Sequence, residues 1–193
     1  MKRQITSVML VVACLFGGLG AVFAKKKPVI ERIDARVAPT SIAVGVDPNV
    51  KILVYEYSTD DDLQELALAF AKHGTDALNG ALGKMKKGTI LQIPGMPGDL
   101  PVELVESKSQ GASRQLTIVA ERGQSPLATR HMQIDNLGQG YPYVCIQIEF
   151  DEQGNGKGEI VEYAKLGFDS AGHMTISRWN TKPFQLVDVR SSK

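Results

Sequence analysis

Apolar and polar residues alternate along most of this chain, and where the alternation stops a helical period replaces it. "RIDARVAPTSIAVGV" and "VKILVYEYS" read as extended segments separated by the turn-forming residues Asp47, Pro48 and Asn49. From Ser58 the period changes. Leu63, Leu66, Ala67, Phe70 and Ala71 recur at helical spacing behind a hydroxyl and acidic start, and Gly74 is suited to stop that helix. Thr75 can cap a second helix whose stripe is Ala77, Leu78, Ala81, Leu82 and Met85. Alternation then returns in "TILQI", "VELVES" and "RQLTIVAER", and residues 123–140 show no settled period.

Four further alternating runs close the chain: "YVCIQIEF", "EIVEYAKLGF", "HMTISRW" and "FQLVDV". Turn signals at this spacing belong to antiparallel meanders and sandwiches. The pattern predicts an α+β fold: a mainly antiparallel sheet, meander or sandwich-like, with one αα-hairpin over about 60–87 packed on a face and C-terminal antiparallel strands over about 141–189. Residues 25–193 would form a single domain.

Residues 1–24 have the form of a signal peptide. Lys2 and Arg3 precede an apolar stretch, and Val22 and Ala24 are small residues at the positions that set cleavage after Ala24. Two alternatives remain: a lipoprotein signal with Cys14 as its lipidated residue, and an uncleaved anchor stopped by Lys25 to Lys27. The expected location is exported, periplasmic or secreted, with no stable membrane insertion once the leader is cleaved. Losing Lys2 and Arg3 changes the formal charge from +1 to −1, so no global field draws the chain to nucleic acid. An envelope protein is the partner class that export suggests. Cys145 is then the only thiol, and no internal disulfide can form.

"DEQGNGKGEIVE" partly matches the twelve-residue calcium loop through Asp151, Asn155, Gly156 and Glu162. Both flanks alternate as strands, which favours a hairpin. With Gly154, Asn155 and Gly156 as a three-residue loop, Phe150 faces Ile160, Ile146 faces Ala164 and Val144 faces Leu166. That register removes Glu162 from the ligand set and leaves Asp151, Asn155 and Glu159 as a weak calcium site, calcium being the one cofactor considered. It also puts Glu162 on the apolar face opposite Ile148, and Cys145 on the other face opposite Lys165. Cys145 and Glu162 are therefore the catalytic candidates. His73, His131 and His173 show no metal-ligand spacing, and neither nucleophile-elbow nor nucleotide-loop motifs occur.

Tyr141-Pro142-Tyr143, Asp151 to Glu159, Phe168-Asp169 and Pro183 to Val187 follow one another as in a group of exported bacterial proteins that the chain resembles. The group has the pattern Y-P-[FY], D-x-x-G-x-G-x-G-E, F-D and P-x-x-L-x-x-V and no assigned activity. The resemblance implies export and one compact domain, and supplies no catalytic residue. The functional expectation is a non-catalytic binding or assembly module. The alternatives are a weak calcium-binding module at the 151–159 hairpin and an enzyme dependent on a thiol or histidine.

Overall fold

A computed structural model describes residues 27–96, 98–122, 140–179 and 182–193. Its strands are β1 (Glu31–Val37), β2 (Asn49–Val54), β3 (Gly88–Gln92), β4 (Leu100–Gln110), β5 (Ser113–Glu121), β6 (Tyr143–Phe150), β7 (Asn155–Phe168), β8 (Met174–Arg178) and β9 (Phe184–Ser192). One helix, α1 (Asp60–Leu82), lies between β2 and β3. Consecutive strands from β1 to β7 pair antiparallel, β7 also pairs with β9, and β9 pairs with β1. Eight strands thus close into a ring, and β8 extends it along the C-terminal half of β7.

This barrel corrects the α+β expectation of an open meander or sandwich carrying an αα-hairpin. The alternation located the cores of the strands, although the extended segment expected over 32–46 ends at Val37 and continues as a short 3-10 turn at Pro39–Ser41; closure depends on long-range pairing that alternation does not encode. The helical region differs as well. It is a single run broken at Gly74, where φ is 72° and ψ is −154°, and its C-cap is Gly83. Lys84 to Lys87, expected to be helical, lie beyond that cap.

Strands of the ring turn one apolar phase inward. In β1 the residues Ile33, Ala35 and Val37 are buried while Arg32, Asp34 and Arg36 are exposed. Ile52, Ile90, Val102, Ile118, Ile146, Phe150, Ile160 and Leu186 complete one interior cluster, consistent with an eight-strand ring just wide enough for side chains to fill it. Away from α1 the outward positions are largely polar, as Arg32, Asp34 and Arg36 of β1 and Gln147 and Glu149 of β6 show.

A second apolar cluster lies outside the ring. Leu66, Leu78 and Leu82 of α1 pack with Leu104, Val119, Tyr143, Cys145, Val161 and Leu166. The helix starts at a capping box: the Asp62 N–H donates to Thr59 Oγ1 at 3.2 Å, and the Thr59 N–H donates to Asp62 Oδ2 at 2.8 Å. Buried Lys87 then pins this end to the barrel through 2.8 Å ion pairs to both Asp62 and Glu56.

The β6–β7 hairpin shows how the ring closes. Its loop is Glu152, Gln153 and Gly154, with Gly154 at φ 78°, so the glycine in the left-handed position is two residues earlier than expected. Phe150 pairs with Gly156, Ile148 with Gly158 and Ile146 with Ile160. The shift is by an even step, so Ile146, Ile148, Phe150 and Ile160 still share one face. Further along, an irregularity separates the pairs Cys145–Val161 and Tyr143–Ala164, and it reverses the phase of β7. Ile160 therefore points into the barrel while Ala164 and Leu166 point out under the helix. The expected pairing of Ile146 with Ala164 is lost because the turn lies earlier, and that of Val144 with Leu166 because of the earlier turn and the irregularity together.

Gly156 and Gly158 sit where β7 is paired on both edges. A Cβ at Gly158 would collide with the Gln147 carbonyl oxygen, and one at Gly156 would come within 3.0 Å of the Glu149 oxygen and the Phe150 ring. Gly158→Ala is expected to destabilise the fold by about 3 kcal/mol, because a backbone atom must move. Gly111→Ala, at a turn with open space around it, should cost about 1 kcal/mol from its positive φ alone. Urea unfolding of the two variants checks this order, and equal costs would contradict the closure role.

Candidate functional site

Outward residues of four adjacent strands line up in register. Thr117 pairs with Gln147, Gln147 with Glu159, and Glu159 with Gln185. At a strand spacing near 4.8 Å this row is about 14 Å long. Beside it, Gln115 pairs with Glu149 and Glu149 with Lys157, whose ammonium lies 3.7 Å from the Glu149 carboxylate. These side chains line a groove of about 340 Å³ on the outer wall. Three primary amides offer donors and acceptors together, and Glu159 adds an acceptor. Such a surface suits hydrogen bonding to a polar partner. Among the described residues that line it there is neither a cysteine nor a histidine.

A larger cleft of about 640 Å³ lies between the first half of α1 and the β7–β8 turn, lined by Leu63, Ala67, Phe70, Phe168 and Gly172 among others. Its walls already meet, with the Phe70 and Phe168 rings 6.1 Å apart, so it is a seam between two packed elements.

The catalytic candidates do not converge. Cys145 is fully buried beneath α1 and pairs with Val161, not Lys165. Burial pushes its thiol up to about 12, so no ammonium activates it. Glu162 falls in the β7 irregularity and not opposite Ile148, whose partner is Gly158. Burial raises its carboxyl, and the Arg122 guanidinium partly offsets this. Arg122 also stacks over Tyr163 at 4.0 Å and donates to its hydroxyl at 3.0 Å.

The calcium candidates have structural duties. Asp151 Oδ1 accepts the N–H groups of Gln153 and Asn155 at 2.9 and 2.8 Å, which fastens the turn. Glu159 lies four residues past Asn155 along an extended strand, about 13 Å away. The hairpin is one wall of the barrel and not a separate binding element. Among the described residues no group of three or more His, Cys, Asp or Glu side chains is placed to hold a metal. His73 ends the first half of α1, His173 meets Asp169 at 3.2 Å in an exposed turn, and His131 lies outside the described residues.

Two polar clusters were not among the sequence candidates. At one mouth of the barrel Glu31 and Arg114 form an ion pair, with Arg114 Nη1 also 3.0 Å from Glu31 Oε2. Tyr57 donates to the same carboxylate at 2.5 Å, Ser191 donates to its other oxygen, and Phe150 lies 4.6 Å beneath the guanidinium. β1 and β5 are four strands apart in either direction around the ring, so this pair spans the lumen. Burial would raise the Glu31 carboxyl, but the hydrogen bonds from Arg114, Ser191 and Tyr57 more than reverse that and lower it. Both charges sit in phase with inward apolar residues, Glu31 with Ile33 and Arg114 with Leu116, which was the available signal. The second cluster surrounds Glu103 beneath α1. Glu103 reads in sequence as an ordinary outward residue between Val102 and Leu104, so nothing marked it.

No family model, curated protein or solved structure matches the chain.

Arg114→Met is expected to cost about 3–5 kcal/mol, since it strands a buried carboxylate. The Glu31→Met/Arg114→Met pair should recover most of that loss. The Glu31 carboxyl is lowered in the folded state, so its stabilisation is present above the unfolded value near 4.5 and is lost as pH falls below it. Acid titration of the melting temperature should therefore show a shallower fall below pH 4.5 in the double variant than in wild type.

Proposed function

We propose that this chain is an exported, non-catalytic binding or assembly module that meets its partner on the polar outer wall of β5, β6, β7 and β9. The observation that carries this reading is where accessible polar chemistry lies. The barrel interior is a packed apolar cluster, and the Glu31–Arg114 pair closes one mouth, in keeping with an eight-strand ring just wide enough for side chains to fill. The Thr117–Gln147–Glu159–Gln185 row, by contrast, is backed by four hydrogen-bonded strands, so its spacing is held fixed. A rigid array loses little entropy on binding. The burial of Cys145 supports the non-catalytic part of the reading.

The partner class favoured is another envelope protein. A neutral to weakly acidic, amide-rich wall fits a polar protein surface with at least one cation to meet Glu159. Recovery of interacting proteins from an envelope extract, by wild type and by a Gln147→Arg/Glu159→Arg variant, tests this. Both residues point outward, so the variant should melt within about 2 °C of wild type, as surface changes generally do. The reading expects at least a tenfold loss of the captured species. Equal capture by the variant would move the contact surface away from this wall.

A further inference from the structure

Glu103 occupies the extra position of a bulge in β4: Val102 pairs with Ala120 and Leu104 with Val119, which leaves Glu103 between them. Such a bulge re-aims a side chain, and here the neighbouring pair, Leu104 and Val119, lies in the cluster under α1. Glu103 is only 3% exposed, and its Oε2 has no hydrogen-bond partner among the described residues. The charged group facing it from β5 is Glu121, a second carboxylate. From β6 it faces Tyr143, beside buried Cys145. From α1 comes Asn79, whose Oδ1 accepts the Tyr143 hydroxyl at 2.6 Å. Lys87 is the nearby cation, its backbone N–H donating to the Val102 oxygen, but its ammonium is committed to Glu56 and Asp62. Among the described residues no cation is paired with Glu103: the charge beside it is the exposed Glu121 carboxylate, and its one hydrogen bond comes from the Glu121 backbone.

The helix above is built in two parts. Residues 60–73 are tethered by the Thr59–Asp62 capping box and by Lys87. Residues 75–82 follow the break at Gly74, which has open space around it, and rest on the wall through Leu78, Leu82 and the Asn79–Tyr143 bond. We propose that residues 75–82 form a proton-gated flap, which lies on the barrel wall while Glu103 carries a proton and swings away about Gly74 when that proton is lost.

The direction follows from linkage. Burial first, and then the Glu121 charge, push the docked Glu103 carboxyl up to about 7 from an ordinary value of 4.5. With the flap open, water reaches the carboxyl and its affinity for a proton falls back. The docked state is thus fully favoured below about pH 4.5 and loses that advantage as pH rises to about 7, with no further change above. Cys145 reports the opening, because it is buried in the same cluster as Leu78 and Leu82.

The test uses the full chain carrying Cys14→Ser. The rate at which a thiol reagent labels Cys145 is measured from pH 5 to pH 9 and divided by the rate in the same chain with Glu103→Gln. The ratio cancels the titration of the thiol itself. It should rise at least about tenfold between pH 5 and pH 7 and stay level from pH 8 to pH 9. Strand circular dichroism should remain unchanged throughout. A ratio constant within about twofold, or a rise accompanied by loss of the strand signal, overturns the proposal. If Glu103→Gln does not fold, Glu121→Gln decides. Removing the like charge must move the upper end of the labelling rise to lower pH, and a profile identical to wild type overturns the flap.

Discussion

Strand β7 is hydrogen-bonded on both edges over the same few residues. Gly156, Gly158, Glu159 and Ile160 pair with β6 on one side and β9 on the other. That double pairing turns a row of antiparallel strands into a ring, and on the β6 side it presses positions 156 and 158 so close to residues 147–150 that a Cβ has no room. The closed ring gives each of its eight strands a neighbour on both sides over at least part of its length, which limits a common route to unwanted strand pairing. It also fixes which side of every strand is the core. Further along, the same strand reverses phase at Glu162 and Tyr163, which sends Ala164 and Leu166 out to meet the helix. Both apolar clusters thus depend on the path of one strand.

Of the glutamates buried against this frame, Glu31 and Glu103 illustrate opposite solutions. Glu31 receives Arg114, Tyr57 and Ser191 and stays ionised, its desolvation offset by charge-assisted hydrogen bonds. Glu103 has an unpartnered oxygen and a like charge beside it, so neutralisation by a proton is the favourable outcome. Their pH dependences have opposite signs: acid undoes the first arrangement and completes the second. Position explains the difference. Glu31 lies at a barrel mouth where several strands end and can each supply a donor. Glu103 lies at a bulge beside the end of β5, where one backbone hydrogen bond from Glu121 reaches it and the nearest charge is a second carboxylate.

Much of the strand inventory was legible because alternation is local. "ERIDARV" and "YVCIQIEF" displayed their buried faces directly. Closure was not legible, since whether β7 meets β9 depends on residues about thirty positions apart and on irregularities that shift phase. Glu162 shows the consequence. Extrapolating a uniform strand past Val161 put it opposite Ile148, whereas the irregularity lies at that residue. Cys145 failed similarly: an outward phase was taken as a polar face, but the outer wall there is covered by α1. The lumen pair could have been found from Glu31 and Arg114, each a charge in an apolar phase, had the two strands been known to face one another.

The glycine-rich segment carries two separable constraints that together imitate a calcium loop. The first is the turn. Asp151 accepts two backbone N–H groups and Gly154 takes the positive φ, and Asp169 with Gly172 repeats that arrangement at the next hairpin, with N–H donors from Ala171 and His173 and a φ of 81°. Because "DEQGN" and "DSAGH" form the same turn, the D-x-x-G part needs no ion to explain it. The second constraint is the crowding at Gly156 and Gly158, which the "DSAGH" hairpin does not share and whose sequence accordingly lacks the further glycines. Side-chain removal at those two positions lets β7 lie close against residues 147–150 of β6, while its pairing on both edges sets Gln147, Glu159 and Gln185 in one row. The glycines thus shape the outer wall from the inside. A motif read first as a ligand set is better understood as the geometric condition for the surface on which the proposed binding function rests.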